Sequence, residues 1–182
     1  DSGVDAKEVV FAASEQMIIG GWLRGDDLVR VTVQGSTGSN VMLSFADGPN
    51  SLFASVGSVV ESRQANSLVE VNTSSSIKIG TTLEAKGANS RVDIVAGTHF
   101  TLLEGAKLVA RSADTSVKVR ASQFLHINSG SAVTAGAEFV DVNGAPVATL
   151  TGANADVGLT AVGEIWVAGA VTASRNIAVS GG

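Results

Sequence analysis

Apolar and polar positions alternate in short bursts along this chain, most plainly between Ser67 and Asn89. Within SLVEVNTSSSIKIGTTLEAKGAN, the triplets Val69-Glu70-Val71, Ile77-Lys78-Ile79 and Leu83-Glu84-Ala85 each set one charged residue between two apolar ones. Alternation of period two marks a strand with one buried and one wet face. Three strands are therefore predicted here, with Glu70, Lys78 and Glu84 facing solvent. From Ser90 the pattern returns as Val92-Asp93-Ile94, Phe100-Thr101-Leu102 and Leu108-Val109-Ala110. The stretch Ser67–Asn89 thus carries three strands and comes back in register, which reads as one turn of a coil.

The recurrence extends in both directions. Apolar bursts begin at Leu28-Val29, Ser51-Leu52-Phe53-Ala54, Val69, Val92, Val117, Val140 and Val157, at steps of roughly 23, 17, 23, 25, 23 and 17. A longer combined step, the sum of a 23 and a 17, occurs twice, from Val29 to Val69 and from Val117 to Val157. Periods of this size belong to solenoids, propellers or arrays. The Leu/Asn frame of leucine-rich repeats is missing, and no helical periodicity is sustained. A propeller blade would use the longer period but ignore the shorter one. The expectation is an all-β chain wound as a right-handed parallel β-helix, with three strands per coil and about seven to eight rungs, roughly 35 Å long. Its interior should hold Val29, Val31, Val69, Val71, Ile77, Ile79, Val92, Ile94, Val117, Val119, Leu125, Ile127, Val140, Val142, Val157, Leu159, Ile165 and Val167.

Residues 1–182 read as a single β-solenoid domain, with 1–25 an irregular or junction rung and 26–182 the regular rungs, cut from a longer chain. A helix competes only over Glu8–Gly21, where β-branched pairs and the Gly20-Gly21 stop favour strands instead. Strands are predicted at Val9–Phe11, Gln16–Ile19 and Trp22–Arg24, with a turn at Gly25-Asp26-Asp27. Related steps precede the rungs: Gln64-Ala65-Asn66, Gly87-Ala88-Asn89, Ser112-Ala113-Asp114 and Gly152-Ala153-Asn154. Asn and Asp tolerate the left-handed conformation, so they suit a corner repeated from coil to coil. Stacked, their side chains would form a hydrogen-bonded ladder.

The tail compresses the same idea. The run GEIWVAGAVTASRNIAVSGG, best matched over Val157–Gly182 and more faintly over Leu68–Val142, resembles the short repeats of filamentous-haemagglutinin-type adhesins and other giant bacterial surface proteins. The resemblance is one of cadence rather than of a specific motif. It implies an extracellular, repetitive β-solenoid stalk or adhesin segment on a bacterial cell surface. No polar cap is evident at the carboxyl end. The implied partners are copies of the chain or adjacent repeats, end to end or side by side, with surface carbohydrate or another cell as further candidates.

Composition narrows the function. A hydrophobic share of 45% with 21 Gly and 2 Pro excludes a disordered polar chain. A net charge of −5 disfavours nucleic acid and anionic membrane surfaces, and no apolar run is long enough to insert in a membrane. The absence of Cys removes disulfides and thiolate metal sites. An aromatic content of 4% argues against a sugar-stacking cleft or a nucleobase platform.

Candidate chemistry is sparse. His99 and His126 fall in successive rungs and would be outward near-neighbours, open to a metal or proton role. Asp26, Asp27 and Asp47 stand beside glycines, but no EF-hand loop or acidic β-roll nonapeptide accompanies them. Polysaccharide lyases and glycosidases also use β-helices and need paired carboxylates on one exposed face. The outward charges predicted here (Glu70, Lys78, Glu84, Asp93, Lys118, Asp141) are single and of mixed sign. The expectation is a non-enzymatic structural or adhesive segment with no catalytic residues, cofactor or metal. A carbohydrate-binding or carbohydrate-cleaving β-helix is the competing reading.

Overall fold

The computed structural model describes residues 3–14, 16–19, 22–33, 40–43, 59–142 and 145–182. Among them the chain is all-β, with no helix. In chain order the strands are β1 (Gly3–Ala13), β2 (Gln16–Ile19), β3 (Trp22–Val33), β4 (Asn40–Leu43), β5 (Val59–Ser62), β6 (Leu68–Thr73), β7 (Ser76–Ile79), β8 (Thr82–Ala85), β9 (Arg91–Ala96) and β10 (His99–Leu102). They continue as β11 (Lys107–Ala110), β12 (Ser116–Ala121), β13 (Phe124–Ile127), β14 (Ala132–Ala135), β15 (Ala137–Val142), β16 (Ala145–Leu150), β17 (Asp156–Ala161), β18 (Ile165–Val167), β19 (Ala170–Ala173) and β20 (Asn176–Ser180).

Consecutive strands among these do not pair, with one exception. A 12-stranded sheet runs β19-β14-β11-β8-β5-β3-β6-β9-β12-β17-β20 with β1 added on β3, and a six-stranded sheet runs β18-β13-β10-β7-β4-β2. Every described pairing in both is parallel; the β15–β16 hairpin is antiparallel. The alternation of the sequence explains the register. One apolar column passes through Val9, Val29, Val69, Val92, Val117, Val157 and Ile177. A second joins Ile77, Phe100, Leu125 and Ile165, and a third joins Leu23, Val60, Leu83, Leu108, Val133 and Val171. Except for Ile177, their inward side chains form one contiguous, mainly aliphatic core, with Ile165 and Val171 partly buried against it. Full burial of each Val, Leu or Ile contributes about 1.5–3 kcal/mol, and a one-residue slip would turn every one of them outward.

Strand β3 departs from the predicted turn at Gly25-Asp26-Asp27, because the strand continues through those residues. Leu23–Gly25 pairs with β5, Leu28–Val33 pairs with β6, and the register against β1 shifts between Ala6 and Glu8. An extra residue on β3 bends it from one neighbour to the next, as a bulge does. Gly25 is required at the bend, since a Cβ there would sit 2.2 Å from the Leu28 carbonyl oxygen.

The spacing also needs correction. Val29 pairs directly with Val69 and Val117 directly with Val157, so each longer step is one pairing step rather than a 23 and a 17. The burst at Ser51–Ala54 lies outside the described residues. Val140 does not extend the Val117 column; it pairs antiparallel with Val147 in the hairpin and is 39% exposed. Asp141 and Val142 also lie in the hairpin, and their side chains fall outside the description. Val167 keeps its predicted inward register beside Ile127, yet it is 40% exposed because no described strand pairs beyond β18. For the same reason Ile165 is only partly buried. On β20, likewise the last strand of its sheet, Ile177 and Val179 are 49% and 55% exposed.

The corners follow the sequence closely. Asn66, Asn89, Asp114 and Asn154 all have positive φ, at 61°, 56°, 57° and 57°. Their ladder runs mainly through the backbone: the Asn66 amide donates to the Ala88 carbonyl at 2.8 Å, Asn89 to Ala113 at 3.1 Å and Asp114 to Ala153 at 2.9 Å. A side-chain step is present where Asn154 Nδ2 donates to Asp114 Oδ1 at 3.2 Å.

Candidate functional site: a ring cluster on the six-stranded sheet

In β10 (HFTL) and β13 (FLHI), alternation buries Phe100, Leu102, Leu125 and Ile127 completely. The intervening residues, His99, Thr101, Phe124 and His126, must then point outward. In β18 (IWV) the same logic turns Trp166 out, beside His126. Four rings meet as a result. His99 stacks on Phe124 with centroids 5.1 Å apart and planes at 19°. Phe124 lies 6.3 Å from His126, and His126 meets Trp166 edge-on at 5.9 Å. Offset and edge-on geometries are the favoured ones for aromatic pairs. Phe124 is 38% exposed and Trp166 49% exposed, while both histidines are half-buried.

The two histidines are therefore outward, as expected, but they do not face one another. The register sets His99 beside Phe124, and the Phe124 ring contacts both imidazoles. Ser76 Oγ lies 3.5 Å from His99 Nδ1 and 3.1 Å from Thr98 Oγ1. Among the described residues, no group of three or more His, Cys, Asp or Glu is placed to hold a metal ion.

Asp26 and Asp27 do not converge either. Asp26 forms an ion pair with Arg63, its Oδ1 3.1 Å from Arg63 Nε, Arg63 also contacts Asp5, and Asp27 pairs with Lys7 at 3.5 Å. Asp47 lies outside the described residues.

The outer surface of β5, β8 and β11 departs from the expected row of scattered solvated charges. Lys78 is exposed and Glu70 partly buried, but Glu84 is only 5% exposed, and Glu61 beside it is buried as well. Buried carboxylates need charged partners, and here they form an alternating series. Arg24 Nε lies 3.2 Å from Glu61, Lys86 Nζ lies 2.6 Å from Glu61 and 3.8 Å from Glu84, and Arg111 contacts Glu84. Arg111 Nη1 then reaches Glu138 on the hairpin at 3.1 Å, and Lys107 caps the Phe139 ring at 4.5 Å. The hairpin is thereby tied to β11. These carboxylates are occupied as ion-pair acceptors and present no free pair for acid–base work.

Sequence reasoning named the histidines and missed Phe124 and Trp166. The signal was available in the triplets Phe124-Leu125-His126 and Ile165-Trp166-Val167, whose central and flanking residues must take opposite faces. A low overall aromatic content pointed away from a ring platform; the register gathers scarce rings in one place. Comparison of the chain with protein-family models, with curated proteins and with solved structures gave no match.

Proposed function

We propose that the chain winds as a right-handed parallel β-helix with three strands per coil, and that it serves as a rigid structural or adhesive β-solenoid segment of an extracellular or bacterial cell-surface protein. The seven-membered column from Val9 to Ile177 carries this reading. Seven levels at strand spacing span roughly 30 Å. Right-handedness is the rule for parallel crossovers. Each level is hydrogen-bonded to the next, which makes such an element stiff along its axis. Its role is mechanical and involves no catalytic step. The surface location rests on the resemblance of the Gly163–Gly182 cadence to adhesin repeats.

The column stops uncovered at Ile177, and the neighbouring one through Leu159 stops uncovered at Val179, both on the last described strand of the sheet. Such an edge is a template for another strand, and a second copy of the chain is the partner to test. Sedimentation and electron microscopy across the micromolar range should find end-joined pairs or fibres one molecule wide. Ile177→Lys combined with Val179→Lys should disperse them. A chain that stays monomeric throughout, with β20 exchanging its amide hydrogens as fast as a loop, would overturn the reading.

A further inference from the structure

The outward face of the six-stranded sheet carries two parallel rows. One passes through Ser76, His99 and Phe124; the other passes through Lys78, Thr101, His126 and Trp166. Each row grades from hydrogen-bonding side chains to rings, one residue per strand, at steps of about 4.8 Å. That step is close to the length of one sugar unit in an extended chain. The main chain of β10 and β13 is committed to parallel neighbours on both sides. A peptide laid along the rows would therefore find no backbone partners, as strand addition requires. Nucleic acid is opposed by the net charge of −5. What remains is a ligand with apolar ring faces and a polar rim.

We infer that this face binds a carbohydrate chain, laid along the solenoid axis, whose pyranose C–H faces rest on Trp166 and on the part of Phe124 that the stacked His99 leaves open, while its hydroxyls meet Thr101, Lys78 and the imidazoles. The site lies on the outward face of the sheet; because Trp166 sits on β18, the last described strand of that sheet, binding is measured below the concentration at which copies join end to end. Exposed aromatic side chains flanked by a few polar groups are the usual anchors of such recognition. Carbohydrate binding needs no bond to be made or broken here, and none of the rows presents a free carboxylate pair.

Trp166 supplies the readout. The chain has 2 Trp, and the other, Trp22, sits under the Arg24 guanidinium at 4.6 Å on the other sheet. In a Trp22→Phe background, Trp166 emission reports the site alone. The probes are a soluble neutral β-glucan and a soluble polyuronate, titrated by fluorescence and run in native affinity gels. Saturable emission change and retardation are expected with the neutral glucan, and weaker binding or none with the polyuronate, whose charge the net −5 of the chain opposes. Phe124→Ala, and separately Trp166→Ala followed by gel retardation, should weaken binding by about tenfold or more. Both residues are surface-exposed, so melting curves should stay near the parent and verify folding. No retardation and no emission change with either probe would overturn the proposal. So would binding that both folded variants retain in full, because the site would then lie elsewhere.

Discussion

Val117 and Val157 are direct partners in neighbouring parallel strands although they are far apart along the chain. Between them the chain leaves the stacked layers to make the β15–β16 hairpin and then returns to the same register. Replacing residues 139–148 by Asn-Gly keeps Glu138 and Thr149, which are cross-strand partners, and suits a two-residue turn. The shortened chain should still melt cooperatively, with the midpoint lowered by a few degrees. Loss of the parallel-sheet circular dichroism would show the hairpin to be part of the core.

Lys86 lies between two buried carboxylates on adjacent strands, Glu61 and Glu84. Lys86→Met would leave like charges side by side with less compensation. Urea unfolding should register a loss on the order of 2–3 kcal/mol. Lys78→Met, at an exposed position, is the control and should change stability by less than about 0.5 kcal/mol. Equal effects from the two would refute the role of the ion-pair series.

Asn89 has a φ of 56° at a corner whose amide bonds to the Ala113 carbonyl. Asn89→Gly keeps that conformation free of strain. Asn89→Val forces a β-branched residue into it, at about 1–2 kcal/mol. Thermal melts of the two variants should therefore diverge, with glycine near the parent and valine below it. Coincident melts would mean that the corner relaxes.

Hydrogen bonds from Arg175 hold the Asp156 carboxyl below the ordinary aspartate range, with the Arg175 charge and an Asn176 Nδ2 bond at 3.1 Å adding to the effect. The folded value is depressed, so the pair stabilises the fold fully above the unfolded value of about 3.9. That contribution fades as pH falls through the lowered folded value. The stability difference between parent and Arg175→Met should be level from about pH 5 to pH 8 and shrink below about pH 4. A difference that widens on acidification would contradict the assigned direction.

Much of the architecture was legible because each strand is short and strictly alternating. Ile77-Lys78-Ile79 can bury its isoleucines in only one register, and the Asn and Asp corners announce themselves by residue type. Glu84 was misjudged for a physical reason. Its triplet alternates like the others, but Lys86 close by in sequence, together with Arg111 and the hairpin from farther along the chain, covers the face that alternation assigns to solvent. The ring cluster was hidden similarly, since Phe124 and Trp166 are distant in sequence and only register brings them to one surface.

By itself, then, the sequence determined an all-β chain of stacked, mostly parallel strands, their inward columns and their left-handed corners, because alternation and residue-specific backbone preference are local properties. Tertiary structure alone decided that each longer step is a single pairing, that Val140 belongs to a hairpin and that Glu61 and Glu84 are buried. It also decided that four rings share one face. Each of these depends on which strands become neighbours, and pairing between distant strands is set by the sum of contacts across the whole core rather than by any one segment.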